Sequence, residues 1–177
     1  MRLFVAIELP KELTKELVKL QERLKEHVIG SFVNEFHLTL QFMGDVDENK
    51  LDDIKESLSK IKFAPFDLKF STVGVFPSEE YIKVIWVGLK PEDRVKELQL
   101  LVDRALFRFN LKKEEDFIAH ITLIRVKSVK NRDDFKRILK SVVPEQLSFT
   151  VNDFKLFQST LTKEKPVYKV VKEFKAS

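Results

Sequence analysis

The chain has 177 residues, 44% of them apolar and 34% charged, and its 32 Lys and Arg against 28 Asp and Glu leave a net charge of +4. That length suits one domain with a real core, and so small a charge excess excludes the strong basic field of a dedicated nucleic-acid coating protein. No cysteine is present, which removes disulfides, thiolate metal sites and thiol nucleophiles together and is compatible with a reducing, cytoplasmic setting.

The opening residues 3–8 are β-rich and apolar at both parities, so they read as a strand buried on both faces. Glu8 and Pro10 end this stretch too early for a signal peptide, and no later run approaches a membrane span. From Pro10 the period changes to 3.6, with Leu13, Leu17, Leu20, Leu24 and Val28 forming one stripe. This predicts an amphipathic helix with proline in its first turn and Gly30 just beyond its end.

Residues 36–43 alternate. Strict period two places Phe36, Leu38, Leu40 and Phe42 on an apolar face and His37, Thr39, Gln41 and Met43 on a largely polar one, with Gly44 closing the strand. Asp47 is placed to cap a second helix striped by Leu51, Ile54, Leu58 and Ile61, and residues 66–75 read as the next strand. The first half is therefore β-α-β-α-β.

The second half repeats this order. A strand over 81–89 leads to a helix from Pro91 with Val95, Leu98, Val102 and Leu106, then a strand over 117–126 and a short helix capped by Asn131. Strands near 146–157 and 165–174 end the chain, with connections over 75–80 and 109–116. Pro10 to Pro91, His37 to His120 and Asp47 to Asn131 are offset by 81, 83 and 84 residues, so three kinds of landmark share one period. Residues 2–75 and 81–158 form the internal repeat, and with no Gly/Ser-rich or Pro-rich linker between them residues 1–177 read as a single two-lobed domain.

Two of the three histidines open matching tetrapeptides, His37-Leu38-Thr39-Leu40 and His120-Ile121-Thr122-Leu123. Period two puts each His and Thr on one strand face, about 7 Å apart. Two such strands facing each other across a cleft present two imidazoles, which titrate near neutrality, and two hydroxyls able to grip a phosphate oxygen. That is the set needed to attack a phosphodiester, with a base for the nucleophile and an acid for the leaving oxygen, each worth roughly 10²- to 10⁴-fold.

A metal is not implied, since each motif supplies one ligand and no carboxylate adjoins either. No Walker or Rossmann loop supports a nucleotide cofactor. His27 reads as a cation at a helix end. Phe36, Phe42, Trp86, Phe117 and Tyr168 are candidates for stacking a base, and the Lys-rich stretch 163–175 for an RNA backbone or simply a solvated face. High charge, 4 Gly and 2 Met match the composition of heat-adapted proteins.

The segments NEFHLTLQFMGDV and FIAHITLIRVK resemble the two signature segments of the two-histidine phosphoesterases, specifically the RNA 2',3'-cyclic phosphodiesterases, also called 2'-5' RNA ligase-like proteins. MRLFVAIELP and LFQSTLTKEKPVYKVV are similar to that family's ends. The resemblance implies a bilobal α+β fold of two pseudo-symmetric lobes, each a mainly antiparallel sheet with outer helices, with the active site in the cleft between them. It implies metal- and cofactor-free hydrolysis of a 2',3'-cyclic phosphate on RNA, tRNA-derived ends included, to a 2'-phosphate, with His37 as proton donor and His120 as proton acceptor.

Joining in reverse through a 2'-5' bond belongs to the same chemistry. Arg125 matches an arginine the family uses near the phosphate. In a regular strand, though, residue 125 points away from His120, so reaching the cleft requires a bulge, a strand end or a long reach. The expected protein acts as a monomer without a protein partner. Two alternatives stay open: a two-histidine enzyme for a small cyclic-nucleotide metabolite, and a non-catalytic RNA-binding module.

Overall fold

A computed structural model describes residues 1–112 and 115–177. Lys113 and Glu114, in the connection expected over 109–116, lie outside the described residues. The elements are β1 (Arg2–Glu8), α1 (Lys11–Leu24), β2 (Val28–Phe32), β3 (His37–Asp45), α2 (Leu51–Ser59), β4 (Phe66–Pro77), β5 (Ile82–Lys90), α3 (Glu92–Leu106), β6 (His120–Val129), α4 (Arg132–Ser141), β7 (Ser148–Val151), β8 (Asp153–Leu161) and β9 (Pro166–Lys175).

Most expected elements are found, with four corrections. The first helix stops at Leu24, and Val28, which had continued its stripe, instead begins β2. Gly30 is therefore no helix stop. It lies where β2 meets β6 so closely that a Cβ would stand 2.2 Å from the Arg125 carbonyl oxygen, a position only glycine fills without displacing the backbone. The segment expected as one strand over 146–157 is two, β7 and β8, divided at Asn152. β4 runs on to Pro77, two residues into the connection expected from 75. Asp47 precedes a short 3-10 turn but its side chain caps nothing, whereas Asn131 accepts a bond from the Asp134 amide at 3.0 Å as a helix cap should.

The fold is bilobal α+β. β3-β1-β8-β9 form one sheet and β2-β6-β5-β4-β7 the other, and every pairing is antiparallel. The sheets do not follow the halves of the repeat, as the simplest packing of two lobes had suggested. β4, the last strand of the first half, pairs with β5, while β8, its counterpart in the second half, returns to pair with β1. Helices cross over too, α1 packing against β6 and α3 against β3.

The exchange follows from burial. β1 has apolar side chains on both faces: Leu3, Val5 and Ile7 join the main core, while Phe4 and Ala6 meet Phe157 beneath Tyr168. A strand of this kind needs neighbours on both edges and cover on both faces, and β3 and β8 supply the edges. One core spans both sheets, from Leu17 and Leu20 of α1 to Val95 and Val102 of α3.

Candidate active site

β3 and β6 approach each other across the two sheets, and each carries the same irregularity. On β3, Thr39 pairs with Ala6 and Gln41 with Val5, so Leu40 has no partner; on β6, Thr122 pairs with Trp86 and Ile124 with Ile85, so Leu123 has none. One extra residue in a strand reverses its parity from that point onward. Burial shows the result. Leu38, Leu40, Gln41 and Met43 are buried but Phe42 is 51% exposed, and Ile121, Leu123, Ile124 and Val126 are buried while Arg125 is exposed.

Strict alternation had placed Phe42 in the core and Gln41 and Met43 in the cleft, and the bulge inverts all three. The same device resolves the difficulty over Arg125. His37, Thr39 and Phe42 of β3 and Thr122 and Arg125 of β6 line one cavity of about 300 Å³, with Arg2, Phe4 and Tyr168. His120, next along the β6 face from Thr122, stands outside that lining. Phe42 and Arg125 are equivalent positions of the repeat, so an Arg at the second could have shown that the first also faces the cleft.

Each bulge is fixed from behind. Gln21, buried on α1, donates from Nε2 to the Leu123 carbonyl at 2.8 Å and to the Val33 carbonyl at 2.8 Å. Gln41 donates to the carbonyls of Phe42 and Lys112, both at 3.2 Å. Buried amides bonded in this way hold the irregular backbone in one conformation.

The two histidines sit in different aromatic surroundings. His37 is enclosed by the edges of Phe4, Phe157 and Tyr168, with ring centroids at 5.6, 4.9 and 5.1 Å. His120 meets Phe76 at 5.0 Å and Trp86 at 5.9 Å. Trp86 lies flat over Gly74, where a Cβ would come within 2.3 Å of the indole, so glycine on β4 is what lets the ring reach His120. Nδ1 of His120 is 2.7 Å from the Ile118 carbonyl. For His120 a proton on Nδ1 makes that bond and leaves Nε2 as the exchanging nitrogen.

Burial pushes the His37 proton affinity down to about 4, and Lys155 adds to the effect; Glu8 and the Glu35 backbone act against it. Glu8 is the ladder partner of His37 and is itself ion-paired to Lys155, which mutes its pull on the ring. His37 is therefore a neutral imidazole at pH 7.

The remaining expected candidates separate cleanly. Phe36 is buried and Phe117 packs against the core, whereas Phe42 and Tyr168 face the cleft. His27 ends a short 3-10 turn and takes no part in the cavity. Asp45 pairs with Arg2 at 3.5 Å, and no ion pair to Arg125 occurs among the described residues. Among those residues, too, no cluster of three His, Asp or Glu is disposed to hold a metal, and no helix is long and apolar enough to cross a membrane. Sequence reasoning missed Arg2, Phe4, Val33, Glu35, Ser159, Leu161 and Pro166 on the cavity wall. They come from the start of β1, the segment between β2 and β3 and the β8–β9 hairpin, and their place depends on long-range pairing.

A duplicated fold with a His-x-Thr strand from each copy facing one cleft defines the class, a two-histidine phosphoesterase. The chain belongs to the family described as LigT-like phosphoesterase, whose model matches residues 7–86 and again 87–168. It is 36% identical over 176 residues to an RNA 2',3'-cyclic phosphodiesterase of Methanocaldococcus jannaschii, covering 98% of this chain and 100% of that one. A second protein so named, from Archaeoglobus fulgidus, is 33% identical over 177 residues, covering 98% and 99%. A crystal structure of a Thermus thermophilus protein superposes with a TM-score of 0.84 at 26% identity, covering 99% of this chain and 97% of that one.

Proposed function

We propose that the chain hydrolyses 2',3'-cyclic phosphodiester ends of RNA to 2'-phosphomonoesters, without a metal ion. The observation that carries this reading is the pair of equivalently bulged strands that turn His37, Thr39, Thr122 and Arg125 toward one cavity. The names of the curated relatives supply the substrate. Residues 1–177 work as one catalytic unit, a cytoplasmic monomer acting on RNA ends, tRNA-derived ones included.

In the proposed reaction His120 takes a proton from water as its oxygen attacks phosphorus. The bond from phosphorus to the 3'-oxygen breaks, and His37 protonates the departing oxygen, leaving a 2'-phosphate and a 3'-hydroxyl. Thr39 and Thr122 donate to the equatorial oxygens, and the Arg125 guanidinium stabilises the charge that grows on them. With a 5'-hydroxyl in the place of water, the same step forms a 2'-5' bond at the expense of the strained ring, so no nucleotide triphosphate is required.

The test is turnover of a short RNA ending in a 2',3'-cyclic phosphate, in chelator, by the wild type and by His37→Ala and His120→Ala. Both variants are expected to lose roughly 10²- to 10⁴-fold. Full activity in either removes the mechanism. Binding of the RNA without turnover by the wild type would instead favour a non-catalytic module.

A further inference from the structure

A second cavity, of about 280 Å³, adjoins the first, and the two share Val33, Glu35, Arg125, Pro166 and Tyr168. Together they make one continuous groove, running from His37 and Thr122 beneath the β8–β9 hairpin to the segment between β2 and β3. Its far end is lined by Ser31, Phe32 and Asn34 on one side and Glu164 and Lys165 on the other. None of these five side chains lines the first cavity, and none has a part in the proposed chemistry.

The substrate's own connectivity says what can lie there. In a 2',3'-cyclic end both the 2'- and 3'-oxygens belong to the phosphate ring, so the chain continues only through the 5'-oxygen of the terminal residue. We propose that the second cavity holds the nucleotide that precedes the cyclic end, so that the enzyme grips two residues of an RNA chain. This rests on the phosphodiesterase reading above.

Three features fit that occupant. Phe32, Pro166 and Tyr168 are half-buried and offer flat apolar surface to a base, which stacks on such side chains whatever its identity. Arg125, at the junction of the two cavities, and Lys165 beyond it give one cation for each of the two phosphates, the reacting one and the one linking the two residues. Glu35 and Glu164 would repel a denser polyanion, but they are acceptors for a ribose 2'-hydroxyl, the group that sets RNA apart from DNA.

Both walls are also preformed. On one side the Val33 amide donates to the Leu123 carbonyl at 3.0 Å and the Val33 carbonyl accepts from Gln21 at 2.8 Å. On the other, the Thr162 hydroxyl donates to the Lys165 carbonyl at 2.6 Å and accepts from the Lys165 amide at 3.1 Å. A groove whose backbone is already bonded loses little conformational freedom when a ligand enters.

The experiment compares kcat/KM for a nucleoside 2',3'-cyclic phosphate with those for the di- and trinucleotides carrying the same cyclic end. A gain of at least about tenfold is expected from one residue to two, the scale of one stacked base, with less than about twofold from two to three. The double variant Phe32→Ala/Lys165→Ala, which removes a stacking face and the cation for the linking phosphate from side chains that line only the second cavity, should abolish the dinucleotide's advantage and leave the mononucleotide's rate unchanged. Equal kcat/KM for mono- and dinucleotide overturns the proposal, as does a double variant that slows both alike. So does a gain seen only when a separate 5'-hydroxyl oligonucleotide is added, which would place an acceptor strand in the groove. Failure of the function itself is distinguishable, because then none of the three substrates turns over.

Discussion

His37 is a neutral imidazole at pH 7, yet the proposed reaction asks it to donate a proton, so binding the phosphate must restore its basicity. Returning the group from about 4 to its ordinary 6.5 requires about 3 kcal/mol at ~1.36 kcal/mol per pH unit. A single negative charge about 4 Å from the ring, at an effective dielectric near 20, supplies about 4 kcal/mol. One phosphate anion therefore suffices. NMR titration of the imidazole signals, assigned with His37→Asn, should place His37 near 4 in the free protein and move it up by at least about two pH units with inorganic phosphate or a nucleoside 2'-phosphate bound. Calorimetry at pH 6.5 in two buffers of different ionisation enthalpy should then show proton uptake on binding. A His37 signal that stays near 4 in the complex would refute the assignment of His37 as acid, and one that titrates near 6.5 in the free protein would refute the account of its burial.

The same group makes stability pH-dependent. Because its folded-state value is lowered, the folded chain binds fewer protons than the unfolded one below 6.5; stability is intact above that and falls as pH drops toward about 4, by up to about 3 kcal/mol. Urea denaturation of the wild type at pH 7 and pH 4.5 should show the extra loss, and His37→Asn should lack it. Gly30→Ala forces a Cβ against the Arg125 carbonyl, so it should cost about 1–3 kcal/mol and raise KM more than it lowers kcat, read by denaturation and steady-state kinetics. Gln21→Leu removes the side-chain donor from the Val33 carbonyl and one of two donors from the Leu123 carbonyl, which keeps the Val33 amide, and should destabilise by about 1–3 kcal/mol; an unchanged denaturation midpoint would show that neither carbonyl depends on it. The charge-rich, glycine-poor composition leads us to expect a thermal midpoint above the ~45–65 °C of ordinary mesophilic domains, measurable by calorimetry.

What could be read from the residues was whatever depends on neighbours in sequence. The stripe from Leu13 to Leu24, the alternation through His37-Leu38-Thr39 and the spacing of the two histidines are local patterns. The bulges are not, because Leu40 and Leu123 suit a buried position at either parity and only the ladders to β1 and β5 decide which residue goes unpaired. Strict alternation put Phe42 on the core face for that reason, and Arg125 was left undecided for the same one. β2 was hidden by Val28, which fits the helical stripe and the strand core equally well. The exchange of β4 and β8 is a matter of long-range pairing, on which the order of elements along the chain is silent.

That exchange has a mechanical meaning. Each half of the repeat completes the other's sheet, so pulling the halves apart would peel β4 from β5 and β8 from β1. The histidine strands themselves stand in different sheets, β3 in one and β6 in the other, and what spans the gap between them is the one core shared by both sheets. Cutting the chain in the turn after Pro77 should yield two pieces with raw sheet edges, each competent only in the presence of its complement.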